Sequence, residues 1–297
     1  MYLQLAISVL LCFQFSSFSL LRSFFKDTTP ICTILLYSEI IKLFVCLMFV
    51  KDIRSEIFKE KMIILPALMF IVMNIVSYNL VSEISATTYV MLMQLKLPAT
   101  CIISYLTLQK KFTNQKIFSV FLVCICSINI CNEKQVTKHY ITITNIIFAL
   151  SEVILSSICS IYLQKIFREK QTIWIRNVEL CIFSIPFYIF IIFHSENTFV
   201  TTRTGLLFSL LASCGGILVA LSLLYCGAVG KTLVSSASLV MVTTVEHILY
   251  QTIPKFYLIT FYIISTTSLI YYNHDIFEFD ESKVAVSRPL LGEESNT

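Results

Sequence analysis

The chain has 297 residues, 57% of them hydrophobic and only 13% charged, with a mean hydropathy of +0.81. Soluble domains carry roughly a quarter charged residues, so an ordinary soluble domain, a disordered chain, a collagen, a coiled coil and a water-soluble nucleic-acid binder are all excluded. The net charge of +4, from 22 Lys+Arg and 18 Asp+Glu, is modest, and its meaning lies in which side of a bilayer each charge occupies.

A spanning helix needs about 20 apolar residues, and the apolar runs predict about ten: 2–21, 31–50, 62–81, 86–108, 115–132, 141–164, 174–194, 204–227, 232–251 and 254–273. The first run lacks the basic start of a secretory signal peptide and is long for its apolar segment, so it reads as a retained span. In span two, Glu39 and Lys42 are three residues apart and share a helix face, which predicts a structural ion pair. Span three carries Asn74, Tyr78 and Asn79, suited equally to interhelical hydrogen bonds and to ligand contact.

Span four holds Lys96 near its middle, two turns after Tyr89 and just before Pro98. A lysine at mid-bilayer costs ~2.5–3.5 kcal/mol and needs a carboxylate, an aqueous cavity or a ligand. Pro98 removes a backbone hydrogen bond and predicts a kink that opens polar backbone to such a cavity. Removing this charge, as in Lys96→Ala, is expected to abolish ligand binding and to ease residence in lipid.

Span six presents Glu152, Ser156, Ser157 and Ser160, span seven Glu179, and span nine Glu246 beside His247; each carboxylate is suited to partner a lysine or to carry a proton. Span eight has Ala212, Gly216 and Ala220 at four-residue spacing, the signature of close helix packing. Residues 274–297 are charged and aperiodic and read as a cytosolic tail, in which the run from Pro289 to Glu294 is compatible with a sorting signal. Most of the 11 cysteines lie in apolar runs, where they behave as small hydrophobes. No Ser/His/Asp order, HExxH or glycine-rich phosphate loop occurs, so no catalytic residue, metal or cofactor is expected.

With a cytosolic amino terminus, fourteen Lys and Arg fall in inner loops and tail and six outside, which places both termini in the cytosol. The inner set includes Lys165, Arg168, Lys170 and Arg176 between spans six and seven. Residues 1–273 read as a single ten-helix transmembrane domain. Two sets of five spans, about 1–135 and 140–273, take opposite orientations because five is odd, which predicts an inverted five-plus-five repeat.

Five short motifs in order resemble the nucleotide-sugar transporters, in the branch of the CMP-sialic acid, UDP-galactose and UDP-N-acetylglucosamine transporters of the drug/metabolite transporter superfamily. They are Ser38-Glu39-Ile40-Ile41-Lys42, Tyr89 to Pro98, the basic turn Lys110 to Gln115, Tyr162-Leu163-Gln164-Lys165, and Trp174-Ile175-Arg176-Asn177. The resemblance covers roughly residues 30–275. It implies a multi-pass antiporter of the Golgi, or of the endoplasmic reticulum, that brings a pyrimidine nucleotide sugar into the lumen and returns the nucleoside monophosphate. A UDP-sugar is slightly preferred over CMP-sialic acid.

By resemblance, Lys96 meets the nucleotide phosphate, Tyr89 and Asn74 line the pocket, Ser156 lies near the base, and Asn177, Tyr225 and Lys231 complete the substrate-binding set. The sequence departs from the family pattern at Cys181, at Leu218-Val219, at Ile75 beside Asn74, and in the run from Leu224 to Lys231. The phosphate end therefore looks better retained than the base and sugar contacts. Lys96 and Lys231 lie on opposite halves and are placed to converge on phosphates, with antiport following if an empty site leaves them uncompensated. Membrane lipid is the other expected partner, and a homodimer is left open. Two alternatives stay open: a diverged, non-transporting interaction or regulatory protein, and a carrier of the same fold for another metabolite.

Overall fold

The computed structural model describes residues 2–24, 29–50, 63–83, 92–109, 112–133, 142–167, 173–194, 199–249, 251 and 255–277. They form ten helices: α1 Tyr2–Phe24, α2 Ile31–Phe49, α3 Ile64–Glu83, α4 Lys96–Leu108, α5 Asn114–Glu133, α6 Ile143–Phe167, α7 Ile173–His194, α8 Arg203–Tyr225, α9 Gly227–Leu249 and α10 Phe256–Phe277. No strand occurs among the described residues. A spanning segment must satisfy its backbone internally, and a helix does so residue by residue. Accordingly, buried serines and threonines such as Ser157, Ser209 and Thr232 turn their hydroxyls to the carbonyl one turn back.

The fold is an all-α integral membrane fold. Six helices, α1, α2 and α6 to α9, are long and apolar enough to cross a membrane. In α3, α4, α5 and α10 the apolar stretches are shorter: Ile64–Ser77, Lys96–Leu108, Asn114–Asn129 and Phe256–Ser268. Phe44, Met48, Phe118, Phe121, Phe190 and Ile263 are exposed, as lipid-facing side chains are. The first apolar run is part of the bundle, since α1 packs on α8 and α9 with Leu11 and Ser16 buried.

The packing repeats itself when α1–α5 are exchanged for α6–α10. α2 lies on α7 and α5 on α10; α3 on α6 matches α8 on α1; α4 on α6 matches α9 on α1; α2 on α8 matches α7 on α3. The largest apolar cluster joins α3, α6, α7, α8 and α9 through Ala67, Leu163, Phe167, Leu180, Leu223 and Ala228. α6 touches α3, α4, α8 and α9, so whatever it buries is shared among them.

Two element ends matter for the site. α4 begins only at Lys96, after a turn at Gln94 and Leu95. α8 and α9 are joined by Cys226 alone, because Gly227 adopts a φ of +78° that L side chains rarely accept. The boundary expected between 227 and 232 therefore falls earlier. Arg176, counted above with an inner loop, lies in the first turn of α7 and is fully buried. Tyr89 and the tail from 278 onward, with the run from Pro289 to Glu294, lie outside the described residues.

Candidate functional site

Six charges carried by the apolar helices are neutralised in three pairs. On α2, Lys42 Nζ is 2.6 Å from Glu39 Oε1. On α7, Arg176 Nη1 is 3.2 Å from Glu179 Oε2, both side chains 1% exposed. Lys96 Nζ reaches from α4 to Glu152 Oε1 on α6 at 2.9 Å. Pairing is what makes buried charge tolerable. Lys231 on α9 differs: its Nζ lies 3.4 Å from Ser160 Oγ of α6, and among the described residues no carboxylate is within ion-pair distance of it. Lys96 and Lys231 are near enough for their charges to repel, so two ammonium groups address one region between α4, α6 and α9.

One face of α6 organises that region. Glu152, Ser156, Ser160 and Gln164 recur at four-residue intervals and so stack along one side of the helix. Glu152 holds Lys96, Ser160 meets Lys231, and Gln164 Oε1 accepts the Ala228 N–H at 2.8 Å, in the first turn of α9. Ser156 is half-buried between the first two by this spacing. Thr100 Oγ1 ties α4 to α6, 2.6 Å from the Lys96 carbonyl and 3.1 Å from Ser157 Oγ.

Lys96 stands at a helix start because of Pro98. The Gln94 carbonyl has no Pro98 N–H to accept and receives the Leu97 N–H at 3.1 Å and the Cys124 thiol of α5 at 3.4 Å. Ser236 of α9 donates to Gln94 Oε1 at 3.0 Å. The break is thus clamped between α5 and α9. It puts the positive end of the α4 dipole beside the Lys96 ammonium, and both favour an anion.

A second polar cluster lies between α2, α3 and α7. Asn74 Nδ2 donates to Tyr188 OH at 2.8 Å, Tyr188 feels the Glu39 and Lys42 charges, and the Cys181 thiol hydrogen-bonds Glu39. Gly216 of α8 lets Lys42 pass, since a Cβ there would come within 3.2 Å of Lys42 Cδ. The structure thus gathers Lys96, Lys231 and the Ser156 face of α6, and separately Asn74 with Glu39 and Lys42. Asn177 and Tyr225 bond elsewhere: Asn177 Nδ2 to the Ile173 carbonyl at 3.0 Å, and the Tyr225 carbonyl to Gln4 Nε2 at 3.0 Å. Gln94, Thr100 and Gln164 were not anticipated as parts of the site. Gln94 and Gln164 carried a signal, Gln94 within the motif from Tyr89 to Pro98 and Gln164 as the next four-residue step after Ser156 and Ser160; Thr100 carried none.

A cleft of about 600 Å³ opens between α5 and α10, lined by Asn114, Phe118, Ser119, Thr267 and Tyr271, and touches none of these charged groups. Among the described residues no three His, Cys, Asp or Glu side chains gather as a metal site.

The family model described as nucleotide-sugar transporter matches residues 2–273. Similar proteins include the UDP-galactose/UDP-N-acetylglucosamine transporter srf-3 of Caenorhabditis elegans, 24% identical over 291 residues, covering 88% of this chain and 77% of that one. A UDP-galactose transporter of Schizosaccharomyces pombe is 25% identical over 240 residues, covering 70% and 68%. The human UDP-N-acetylglucosamine transporter is 23% identical over 250 residues, covering 74% and 77%. A crystal structure at 8% identity superposes with a TM-score of 0.72 over 91% of this chain and 97% of that one, a likeness of fold alone.

Proposed function

Because the chain belongs to the nucleotide-sugar transporter family, we propose that it exchanges a pyrimidine nucleotide sugar, a UDP-sugar ahead of CMP-sialic acid, for the nucleoside monophosphate across the Golgi membrane. The sugar enters the lumen and both termini lie in the cytosol. The observation that carries this reading is Lys231, a buried-helix cation that Ser160 meets and no described carboxylate balances, beside Lys96 at the start of α4. A phosphate placed between the two lysines accepts charge-assisted hydrogen bonds from both and offsets the cost of holding them in the membrane. Antiport follows from the same inventory: with the site empty, Lys231 is uncompensated, so reorientation without an anion is slow. The relatives named as UDP-sugar transporters support the base preference. The exchange-related packing supports two pseudo-repeats, about 1–135 and 140–273.

Thermal stabilisation of the detergent-purified protein by CMP, UMP, GMP, AMP and their sugar conjugates tests the reading. A ligand at about a hundred times its Kd stabilises by ~2.7 kcal/mol, about 4 °C at roughly 0.6 kcal/mol per degree for a chain of this length. The expected result is a shift with uridine compounds, followed by faster uptake into liposomes preloaded with UMP than into empty ones. Equal uptake into empty liposomes would remove the antiport reading. One observation favours a second reading, a non-transporting relative: Lys96 is already satisfied internally by Glu152. Folded protein that no nucleotide stabilises would decide for it.

A further inference from the structure

On the reading of the chain as a nucleotide-sugar carrier, we propose that Gln14 of α1 and Glu39 of α2 recognise the sugar by accepting hydrogen bonds from its hydroxyl groups. Two acceptors carry this, since among the described residues neither is satisfied. Gln14 is 9% exposed, its Nε2 donates to the Leu211 carbonyl of α8 at 2.9 Å, and its Oε1 is buried without a hydrogen-bond partner. The Leu211 carbonyl can only accept, which fixes the nitrogen of the amide on that side. Glu39 Oε1 takes the Lys42 ammonium at 2.6 Å, and the buried Glu39 Oε2 meets no donor beyond, at most, the weak Cys181 thiol.

α8 is shaped to bring these groups together. At Gly215 a Cβ would come within 2.8 Å of Gln14 Cδ and 3.0 Å of its Oε1, and at Gly216 a Cβ would lie 3.5 Å from Lys42 Nζ. Consecutive residues of one helix thus receive the Gln14 amide and the Glu39–Lys42 pair. A buried acceptor left unsatisfied destabilises more than an apolar side chain of the same shape in its place. Buried polar atoms are nearly always paired, so two such exceptions side by side point to a donor brought from outside.

The chemistry of the cluster selects that donor. Lys42 is matched by Glu39, so the cluster carries no net charge, and both of its open positions accept. A phosphate or a carboxylate brings no proton to donate, whereas a neutral sugar brings several hydroxyl donors. Glu39 lies eight residues into α2, Glu152 nine into α6 and Gly215 twelve into α8. These are depths of about 12, 14 and 18 Å along helices that run the same way when successive spans alternate. α8 packs on both α2 and α6, so the cluster sits at the level of the Lys96–Glu152 pair, as the sugar of a nucleotide whose phosphate lies at Lys96 requires.

The test is isothermal titration of the purified full-length protein with UMP, UDP-galactose, UDP-N-acetylglucosamine and deoxyfluoro analogues of both sugars, in which fluorine replaces one hydroxyl donor at a time. The readout is the Kd of each sugar nucleotide relative to that of UMP. Gln14→Leu should raise this ratio roughly 2- to 10-fold, as loss of a neutral hydrogen bond does. Glu39→Leu with Lys42→Met removes the carboxylate without stranding the ammonium and should raise it roughly 10- to 150-fold. In the wild type at least one analogue should bind correspondingly more weakly than its parent, and in the variant lacking the matching acceptor that loss should vanish. A ratio unchanged in both variants, or analogue losses that persist in full in both, overturns the inference and leaves the nucleotide-sugar reading standing. Should neither variant fold, the wild type decides: a loss of about tenfold or more at one hydroxyl supports a charged acceptor at the sugar, and no loss with any analogue overturns it. No binding of UMP or of either UDP-sugar removes the nucleotide-sugar reading, and this inference with it.

Discussion

Replacing Lys231 should have opposite effects on the empty and the occupied protein. Lys231→Met keeps the apolar stem and removes the charge. In the empty protein, Ser160 Oγ at 3.4 Å is the contact that compensates this ammonium, so its removal relieves at most the ~2.5–3.5 kcal/mol that a lysine costs at a helix centre. At roughly 0.6 kcal/mol per degree the melting temperature rises by up to about 4–6 °C. In the occupied protein a charge-assisted hydrogen bond to phosphate is lost, worth about 1.5–3 kcal/mol, which weakens Kd by roughly 10- to 150-fold. Differential scanning fluorimetry with and without UMP reads both effects in one experiment. A variant that melts below the wild type while keeping its ligand shift would show that Lys231 is structural, and the charge argument for the site would fall.

Other variants probe the pairs around it. Lys96→Ala should abolish binding, but Glu152 reverses the expectation that it eases residence in lipid: the stranded carboxylate costs about 3–5 kcal/mol, and Lys96→Ala with Glu152→Ala should recover most of that melting loss. Glu179→Ala should destabilise by about 3–5 kcal/mol by stranding the Arg176 guanidinium, and Arg176→Leu with Glu179→Leu should restore the melt. Gly227→Ala should lose about 1–2 kcal/mol from its positive φ, plus the push of a Cβ 3.1 Å from Gln164 Nε2. Adding Gln164→Ala relieves that push but strands the buried Ala228 N–H, so the double variant should melt no higher than the single one; a double variant that melts higher would show that the contact costs more than the hydrogen bond contributes.

The helices were legible because a spanning segment declares itself by length and apolarity. Eight of the ten start and end within a few residues of the apolar runs, and α9 departs only by its early start at Gly227. The exception is α4. Pro98 announced a disturbance, but the backbone break at Gln94 depends on Cys124 and Ser236 taking up the groups it exposes, and neither is near it in sequence. The site divides in the same way. Glu39 and Lys42 sit one turn apart, so their proximity is local and readable. The carboxylates at 152, 179 and 246 were interchangeable as partners for Lys96, because only the packing of α4 on α6 decides which one faces it. Asn177 was legible by motif, but that its Nδ2 donates to the Ile173 carbonyl of its own helix was not.

The single residue between α8 and α9 has a mechanical consequence. One extended residue spans about 3.3–3.6 Å, so these two helices cannot separate at their joined ends and move relative to one another only by turning about the corner. Gln4 and Ser8 of α1 grip that corner through the Tyr225 carbonyl and the Cys226 thiol, and Gln164 grips it through Ala228. Lys231 lies four residues past Gly227, about 6 Å along the helix, whereas Leu249 lies about 33 Å away. A turn of about 10° at the corner carries the far end of α9 by roughly 6 Å and the lysine by about 1 Å. The charge sits near the pivot, so the walls around a bound anion can swing while its main electrostatic contact stays almost still.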